Sequence, residues 1–361
     1  MVTDCVFNPD YAAAPGEIIE EILEARGMTR VELALRCGLS PKTISLILSG
    51  KAPVTPDTAI QLERVLGITS SIWNNLEANY RLFLAKEKDS DELESQRNWL
   101  QGFPFREMVK RKWIPDGRST AEKVSILLNF FGVGSVSSWE AKYGGLSVRL
   151  RGSAKYPPNR EALAAWIRRC EVKANTIETE PFNAEGMNKA LGEIRSLTCE
   201  DPEVFEPEMK NLMIEAGVAV VFMSELPGTH LSGATRWLTP EKAMIALSLR
   251  YKTNDQLWFT FFHEAAHLKL HSKKLSFIDW AGSTSEDVQE IEADRYACDY
   301  LIPPGIYKRF LEKGDFTSDS IRKLAAKLGI TPGIIVGRLQ HDGALGYNQL
   351  NYLKCRFELK E

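Results

Sequence analysis

The stretch Trp258–His271, WFTFFHEAAHLKLH, holds residues whose types and spacing can do chemistry. His263, Glu264 and His267 spell H-E-x-x-H. Two histidines four apart stand about one turn apart on one helix face, so both imidazoles can reach a single metal ion. Zn²⁺ accepts neutral imidazole nitrogen at roughly 2.0–2.1 Å and prefers four ligands in a tetrahedron. Glu264, directly after the first histidine, is then placed to take the proton of an attacking water. Phe259, Phe261 and Phe262 lead into the pair and Leu268 and Leu270 follow it, the composition of a buried helix.

A catalytic zinc uses three protein ligands and keeps one position open. Downstream lies VQEIEADRYACDYLIP, a second helical pattern ended by Pro303 and Pro304. Glu290 and Asp294 stand at i and i+4 on it and can face one site. Glu290 is the expected third ligand and Asp294 the partner that orients an imidazole N–H. Glu292 is the fallback ligand, but it points about 200° around the helix from Glu290. His271 lies about 12 Å along the axis from His263, too far for all three histidines to share one ion. It has two readings: it polarises the substrate carbonyl, or it caps the helix end, where a cation is welcome. Tyr296 and Tyr251 are the other candidates for stabilising an oxyanion. His230, on a Gly-rich stretch, reads as a surface residue.

The elements that must position these groups begin near Phe182. Two helical stretches, GMNKALGEIRSLT and VFEPEMKNLMIEAG, precede GVAVVFMSEL, an apolar β-branched run expected to be a buried strand. GTHLSGATRWLT is expected to form a hairpin, and AMIALSLRY a strand leading into the H-E-x-x-H helix. A small sheet beside that helix offers an edge strand that can align an extended peptide by backbone hydrogen bonds. The tail, DSIRKLAAKLGITPGIIVGRLQHDG, reads as a further helical pair suited to packing or substrate recognition.

The first part of the chain is organised differently. From Pro15 to about Glu87 it reads as short helices punctuated by Gly27, Gly38 and Gly50. Thr29 with Glu32 forms a capping box, and Ser40 caps a helix that starts with Pro41. Thr55-Pro56 repeats the signal for DTAIQLERVLG, and SIWNNLEANYRLFLAKEK makes a fifth helix. Two short helices joined at RCGLS are the helix-turn-helix arrangement, whose second helix enters the major groove. Ala34, Leu39, Ile44 and Leu48 are then core. Ser40, Lys42, Thr43 and Ser45 face DNA, and Lys51 meets phosphate. Acidic residues outnumber basic ones between Pro15 and Tyr80. Binding as a monomer is therefore expected to be weak and salt-sensitive, and a homodimer on a two-fold site is the usual remedy.

Residues 88–181 show no chemistry of their own. KEKDSDELESQ is a charged run that reads as a solvated helix face or hinge. WLQGFPFREMVKRKWIPDGRS interleaves aromatics with Arg106, Lys110, Arg111 and Lys112, most simply an amphipathic helix packed by its aromatics. KVSILLNFFGV and EALAAWIRRCEVKAN have helical patterns, with the loop-rich GGLSVRLRGSAKYPPN between them.

Two resemblances add to this reading. SLRYKTNDQLWFTFFHEAAHLKLH followed by EIEADRYACDYLIP resembles the ImmA/IrrE metallo-endopeptidases of bacteria and their mobile elements. The resemblance implies zinc held by His263, His267 and Glu290, with Glu264 as general base. Ala266 departs from the Gly that many members carry before the second histidine; Ala is a good helix former. Residues 15 to 80 resemble the XRE/Cro-type helix-turn-helix family, in its antitoxin-like branch. In such relatives similar middle segments join the two modules.

Composition sets the outer limits. The 361 residues suggest two or three domains, and 44% hydrophobic content is ample for cores. A net charge of −3 argues against a general polyanion binder. Cys5, Cys37, Cys170, Cys199, Cys298 and Cys355 form no C-x-x-C pair and read as reduced thiols of a cytoplasmic protein. The start MVTDCVFNPDY has neither the basic nor the apolar part of a signal peptide, and no run approaches the ~20 apolar residues of a membrane span.

The expected fold is mainly α. A five-helix helix-turn-helix domain spans 1–87, a helical linker or middle segment 88–181, and an α+β zincin-like metallopeptidase domain with a small sheet 182–361. The expected function is a DNA-binding, antitoxin-like transcriptional regulator. Its zinc endopeptidase domain hydrolyses a regulatory protein, a repressor or toxin. Two alternatives stand beside it: a non-enzymatic antitoxin whose metal domain is a structural or partner-binding platform, and a zinc-responsive repressor.

Overall fold

The structure, a computed structural model, describes residues 12–144, 159–229, 231–271 and 286–358. Cys5, His230 and most of the loop-rich connection after Gly144 lie outside the described residues. The fold is mainly α, with a helix-turn-helix region at the N-terminus and one three-stranded sheet in the C-terminal region. Of the described residues, those up to Arg97 together with Arg118–Val124 form one compact unit; Asn98–Gly117 and those from Ser125 onward form the other.

In the first unit the capping residues set the helix ends. Helices α1 (Pro15–Arg26), α2 (Arg30–Cys37), α3 (Pro41–Leu48) and α4 (Pro56–Leu66) are followed by α5 (Ser70–Glu94). The Thr29, Ser40 and Thr55 hydroxyls accept the N–H groups of Glu32, Thr43 and Thr58, which helix geometry would leave unpaired. Gly27, Gly38 and Gly67 end helices in the left-handed conformation. Thr29–Glu32 is half a capping box, because the Glu32 carboxylate turns to Arg36 instead. Ile19, Leu33, Ile44, Leu62 and Trp73 are fully buried and bring the five helices onto one core. Helix α5 runs on through the charged KEKDSDELE, past the boundary expected at residue 87. That run lacks Gly and Pro and is rich in good helix formers, so nothing stops it.

The second unit is built on a sheet of order β1–β3–β2. Strand β1 (Val218–Phe222) pairs parallel with β3 (Lys242–Leu247), and β2 (Gly233–Thr239) pairs antiparallel with β3. The stretch expected to be a hairpin by itself supplies only β2, and the two-residue turn at Pro240 and Glu241 hands it to β3. Strand residues alternate between two cores. Val218, Val220, Ala243 and Ile245 face the helix Asn254–Leu270, hereafter the HExxH helix, with its neighbours. Ala219, Val221, Met244 and Ala246 face the other way.

That second face is covered by the middle segment. Trp166 and Cys170 of the helix Arg160–Asn175, with Phe103, Phe131 and Trp139, complete its core. The boundary expected at 181/182 therefore crosses a continuous core, and residues 98–117, 125–144 and 159–181 are part of the sheet-bearing unit. Arg111 donates to the carbonyls of Ser224 and Glu225, and Trp166 Nε1 to that of Met223, tying this layer to the end of β1. No described helix is long and apolar enough to cross a membrane.

Candidate metal centre

The HExxH helix packs by a mostly apolar side: Leu257, Trp258, Phe261, Phe262, Ala265 and Leu268 are all buried. Packing of that face leaves His263 and His267 on the side toward a second helix, Glu286–Leu301. Ala293 and Ala297 on the latter are buried, and their small size lets the two helices approach. Glu290 and Asp294, one turn apart, then reach the histidines.

The donor atoms of His263, His267 and Glu290 lie within 4.8 Å of one another. The two Nε2 atoms are 3.1 Å apart. Glu290 spans them, its Oε2 at 3.2 Å from His263 and its Oε1 at 3.5 Å from His267. Both histidines are steadied from behind. His263 Nδ1 donates to Asp294 Oδ1 at 2.8 Å, and His267 Nδ1 shares a hydrogen bond with His271 Nδ1 at 2.9 Å. This set fits a zinc ion on its own chemistry. Two imidazole nitrogens and a carboxylate converge, each imidazole is held through its other nitrogen, and a cation between the Nε2 atoms relieves their mutual contact.

Electrostatics agree with a site built for a cation. Burial alone would depress His263, but the hydrogen bonds it donates to Asp294 and Glu290 outweigh it and lift it to about 10. Burial pushes His267 down to about 4, with the charge of His263 adding to the fall against the pull of Glu290. Burial would raise Glu290, yet its hydrogen bond to His263 and the neighbouring imidazoles hold it below the ordinary carboxylate value. Glu264 is different. It is buried, and desolvation raises it to about 7 against the lowering influence of His263.

The burial of Glu264 comes from β2. Thr235 Oγ1 donates to the Glu264 carbonyl at 2.9 Å. At Gly233 a Cβ would meet Thr260 Cγ2 at 2.7 Å and Glu264 Oε1 at 2.9 Å. Only glycine lets the strand lie this close to the carboxylate. The Gly of SGATRW was the available sequence signal, but nothing in the sequence said what it approaches.

The remaining candidates are placed as follows. His271 is not turned to the open side of the donor set; it sits behind His267, with Nε2 3.4 Å from Glu292. That leaves Glu292 outside the donor group. The His271 N–H also closes the helix end on the His267 carbonyl. Tyr296 is turned away, its ring stacked on Tyr300 and its hydroxyl accepting from Lys269 at 3.3 Å. Tyr251 is half exposed on the turn before the HExxH helix. Of the three oxyanion candidates, only His271 touches the donor set, and it does so through the Nδ1 of His267.

In the first unit, Ser40, Lys42, Ser45 and Lys51 are exposed and Thr43 is half-buried. Ser40 and Thr43 are tied to each other at the start of α3, hydroxyl to hydroxyl at 2.8 Å. Sequence reasoning missed the support of the turn carrying Lys51. Buried Glu77 accepts from Val54 N at 3.0 Å and pairs with Arg81, which donates to the Gly50 carbonyl at 3.1 Å. Leu35 and Val31 of α2 are exposed.

Comparison with known proteins follows the same division. A helix-turn-helix family profile matches residues 19–73, and an IrrE N-terminal-like domain profile, of a peptidase family, matches residues 215–340. The chain is 37% identical over 73 residues to the uncharacterised HTH-type transcriptional regulator YddM of Escherichia coli (strain K12), covering 20% of this chain and 78% of that one. It is 35% identical over 81 residues to virulence-associated protein I of Dichelobacter nodosus, covering 22% and 75%. Among solved structures, an antidote protein of a plasmid maintenance system from Nostoc punctiforme shares 31% identity, covering 23% of this chain and 92% of that one, with a TM-score of 0.23. An addiction module antidote protein of the HigA family from Coxiella burnetii shares 30% identity over the same shares, with a TM-score of 0.22. The chain belongs to the XRE-type helix-turn-helix regulators and carries, behind that module, a domain of the IrrE N-terminal-like peptidase family.

Proposed function

We propose that this protein is a DNA-binding regulator whose second unit is a zinc-dependent endopeptidase that cuts a regulatory protein. The observation that carries the reading is the convergence of His263, His267 and Glu290 beside a buried Glu264. His263, His267 and Glu290 would hold the ion, with Asp294 and His271 fixing the imidazoles from behind. When bound, zinc supplies Lewis-acid polarisation of the peptide carbonyl and acidifies water.

The chain's own residues do the rest. Glu264 takes the proton of the attacking water on its carboxylate and passes it to the leaving amine. A carboxyl raised toward 7 by burial suits both halves of that transfer near neutral pH. Strand β2, paired on one side with β3, aligns an extended peptide through backbone hydrogen bonds next to Glu264. In the first unit, Ser40, Lys42, Thr43 and Ser45 present α3 to the major groove and Lys51 meets phosphate, as a homodimer on the protein's own operator.

Elemental analysis of the wild type and Glu290→Ala, purified without chelator, tests the ligand set. About one zinc per chain in the wild type and far less in the variant supports it. The catalytic half is tested by Glu264→Gln, which keeps zinc and loses proteolysis; a clean Gln variant retaining all proteolysis refutes it. A protein that binds zinc and its operator but cuts nothing is a non-enzymatic antitoxin. Operator affinity that follows zinc without any cleavage marks a zinc-responsive repressor.

A further inference from the structure

The helix Glu286–Leu301 carries three acids at alternating positions, Glu290, Glu292 and Asp294. Glu290 reaches both histidines of the H-E-x-x-H pair, and Asp294 steadies His263. Glu292 so far has no task. We propose that Glu292 is a positioning residue for the zinc site, acting on His267 through His271. The proposal rests on the zinc-ligand reading and adds to it a relay of two groups behind His267.

His271 is the first residue past the HExxH helix, in extended backbone, and its N–H closes on the His267 carbonyl at 3.3 Å. That bond fixes the point from which the ring departs. The side chain is only 8% exposed, and its Nδ1 lies 2.9 Å from His267 Nδ1. Nε2, at the other end of the ring, is shut off from solvent and makes no hydrogen bond among the described residues. Glu292 Oε2 stands 3.4 Å from it. That is slightly long for a hydrogen bond, and the exposed Glu292 side chain closes it by rotation about its own bonds.

Counting protons then fixes each ring. A His267 that offers Nε2 to a cation is neutral and carries its proton on Nδ1, so Nδ1 donates. The nitrogen it meets must present a lone pair, which leaves the His271 proton on Nε2. The opposite arrangement sets one N–H against another at 2.9 Å. A buried Nε2–H requires an acceptor, and the Glu292 carboxylate supplies it. Glu292 therefore selects the one His271 tautomer that leaves His267 Nε2 available to the metal. His263 has the shorter form of the same device, a carboxylate directly on its Nδ1. The three acids thus divide the work: Glu290 is a ligand, Asp294 orients His263, and Glu292 orients His267 at one remove.

The test measures zinc affinity of the full-length chain by chelator competition. Tautomers are read from long-range proton–nitrogen NMR of the zinc-loaded, nitrogen-15-histidine protein. It holds only five imidazoles, and His271→Ala identifies the one of interest. Glu292→Ala is expected to weaken zinc binding about tenfold, the lower end of the effect of losing an orienting partner, and to give His271 a mixture of tautomers. Glu292→Gln, whose amide oxygen still accepts, is expected to stay within about threefold of the wild type. In a His271→Ala background, Glu292→Ala is expected to change nothing further, because the ring it acts through is gone. A tenfold loss that persists in that background, or a Gln variant as weak as the Ala variant, assigns the effect to charge alone and overturns the relay. Wild-type affinity in Glu292→Ala, or a wild-type spectrum with the His271 proton on Nδ1, overturns it too, and each of these results leaves the zinc site standing. A wild type that takes up no zinc overturns the site itself, and the relay falls with it.

Discussion

The proton on His263 makes zinc affinity a measurable test of the site. Hydrogen bonds to Asp294 and Glu290 lift this imidazole to about 10 in the metal-free protein. At pH 7 the protonated form then exceeds the neutral one by about a thousandfold, three pH units being three decades. Zinc takes only the neutral ring, so each ion bound must displace that proton. Glu290 is held below the ordinary carboxylate value and His267 down at about 4, so neither releases a proton in the neutral range. Above the value of about 7 that Glu264 takes, up to about pH 9, the expected linkage is therefore one proton per zinc, or about tenfold tighter binding per pH unit. An ordinary imidazole near 6.5 would give a curve that is flat above pH 7. Competition with a chromophoric chelator from pH 6 to 9 distinguishes these outcomes, and calorimetry in buffers of different ionisation enthalpy counts the protons. The sign for stability follows. A histidine raised above its unfolded value contributes stability below about pH 6.5 and loses it as pH rises toward about 10. The metal-free protein should thus melt lower at pH 9 than at pH 7. Zinc affinity that is flat between pH 7 and 9, with no proton released, would refute the reasoning.

Three further outcomes follow from particular contacts. Asp294→Asn, measured at pH 9 where His263's proton competes least, is expected to weaken zinc binding by about 10- to 100-fold, the usual effect of losing a group that orients a ligand. Unchanged affinity would show that the 2.8 Å contact orients nothing. Gly233→Ala forces a Cβ against Glu264 and Thr260 and is expected to lower kcat at least tenfold while zinc content stays near the wild-type value; full activity would mean that Glu264 has room to spare. Lys354→Met breaks a pair whose side chains are only 12% and 4% exposed, Lys354 Nζ lying 2.7 Å from Asp255 Oδ2. Leaving Asp255 charged and buried costs about 3–5 kcal/mol, read as a fall in the denaturant midpoint of the sheet-bearing unit. A loss below about 1 kcal/mol would show that water replaces the lysine.

Local chemistry was legible in the sequence wherever a residue acts on its own neighbours. Thr29, Ser40 and Thr55 announce helix starts because a hydroxyl can reach only the amides of the next turn, and Gly27, Gly38 and Gly50 announce ends because few other residues tolerate left-handed backbone. The i, i+4 spacings of His263 with His267 and of Glu290 with Asp294 say equally directly which groups share a face. What such spacing leaves open is the direction from which another element arrives. His271 lies one turn beyond His267, a spacing compatible with the substrate side or the rear of the site; the approach of Glu292 sets it at the rear. Tyr296 is two residues past Asp294, enough rotation to send it to Lys269.

The middle segment shows the same limit on a larger scale. Its helices carry Phe103, Phe131, Trp139 and Trp166, whose partners are residues of β1 and β3 up to about 140 positions away. Read alone, GVAVVFMSEL is merely apolar throughout, and that pattern fits a strand covered on both faces without saying by what. The observed packing answers it: one face meets the HExxH helix and the other meets residues that sequence reasoning set apart as a linker. The consequence bears on the site. Strand β2, which crowds Glu264, is held by β3, and β3 is buried from both sides. A fragment beginning at residue 182 would expose Met244 and Ala246 and weaken the strand pairing that sets Gly233 against Glu264. The geometry around Glu264 therefore depends on a layer that contributes no group to the candidate metal site.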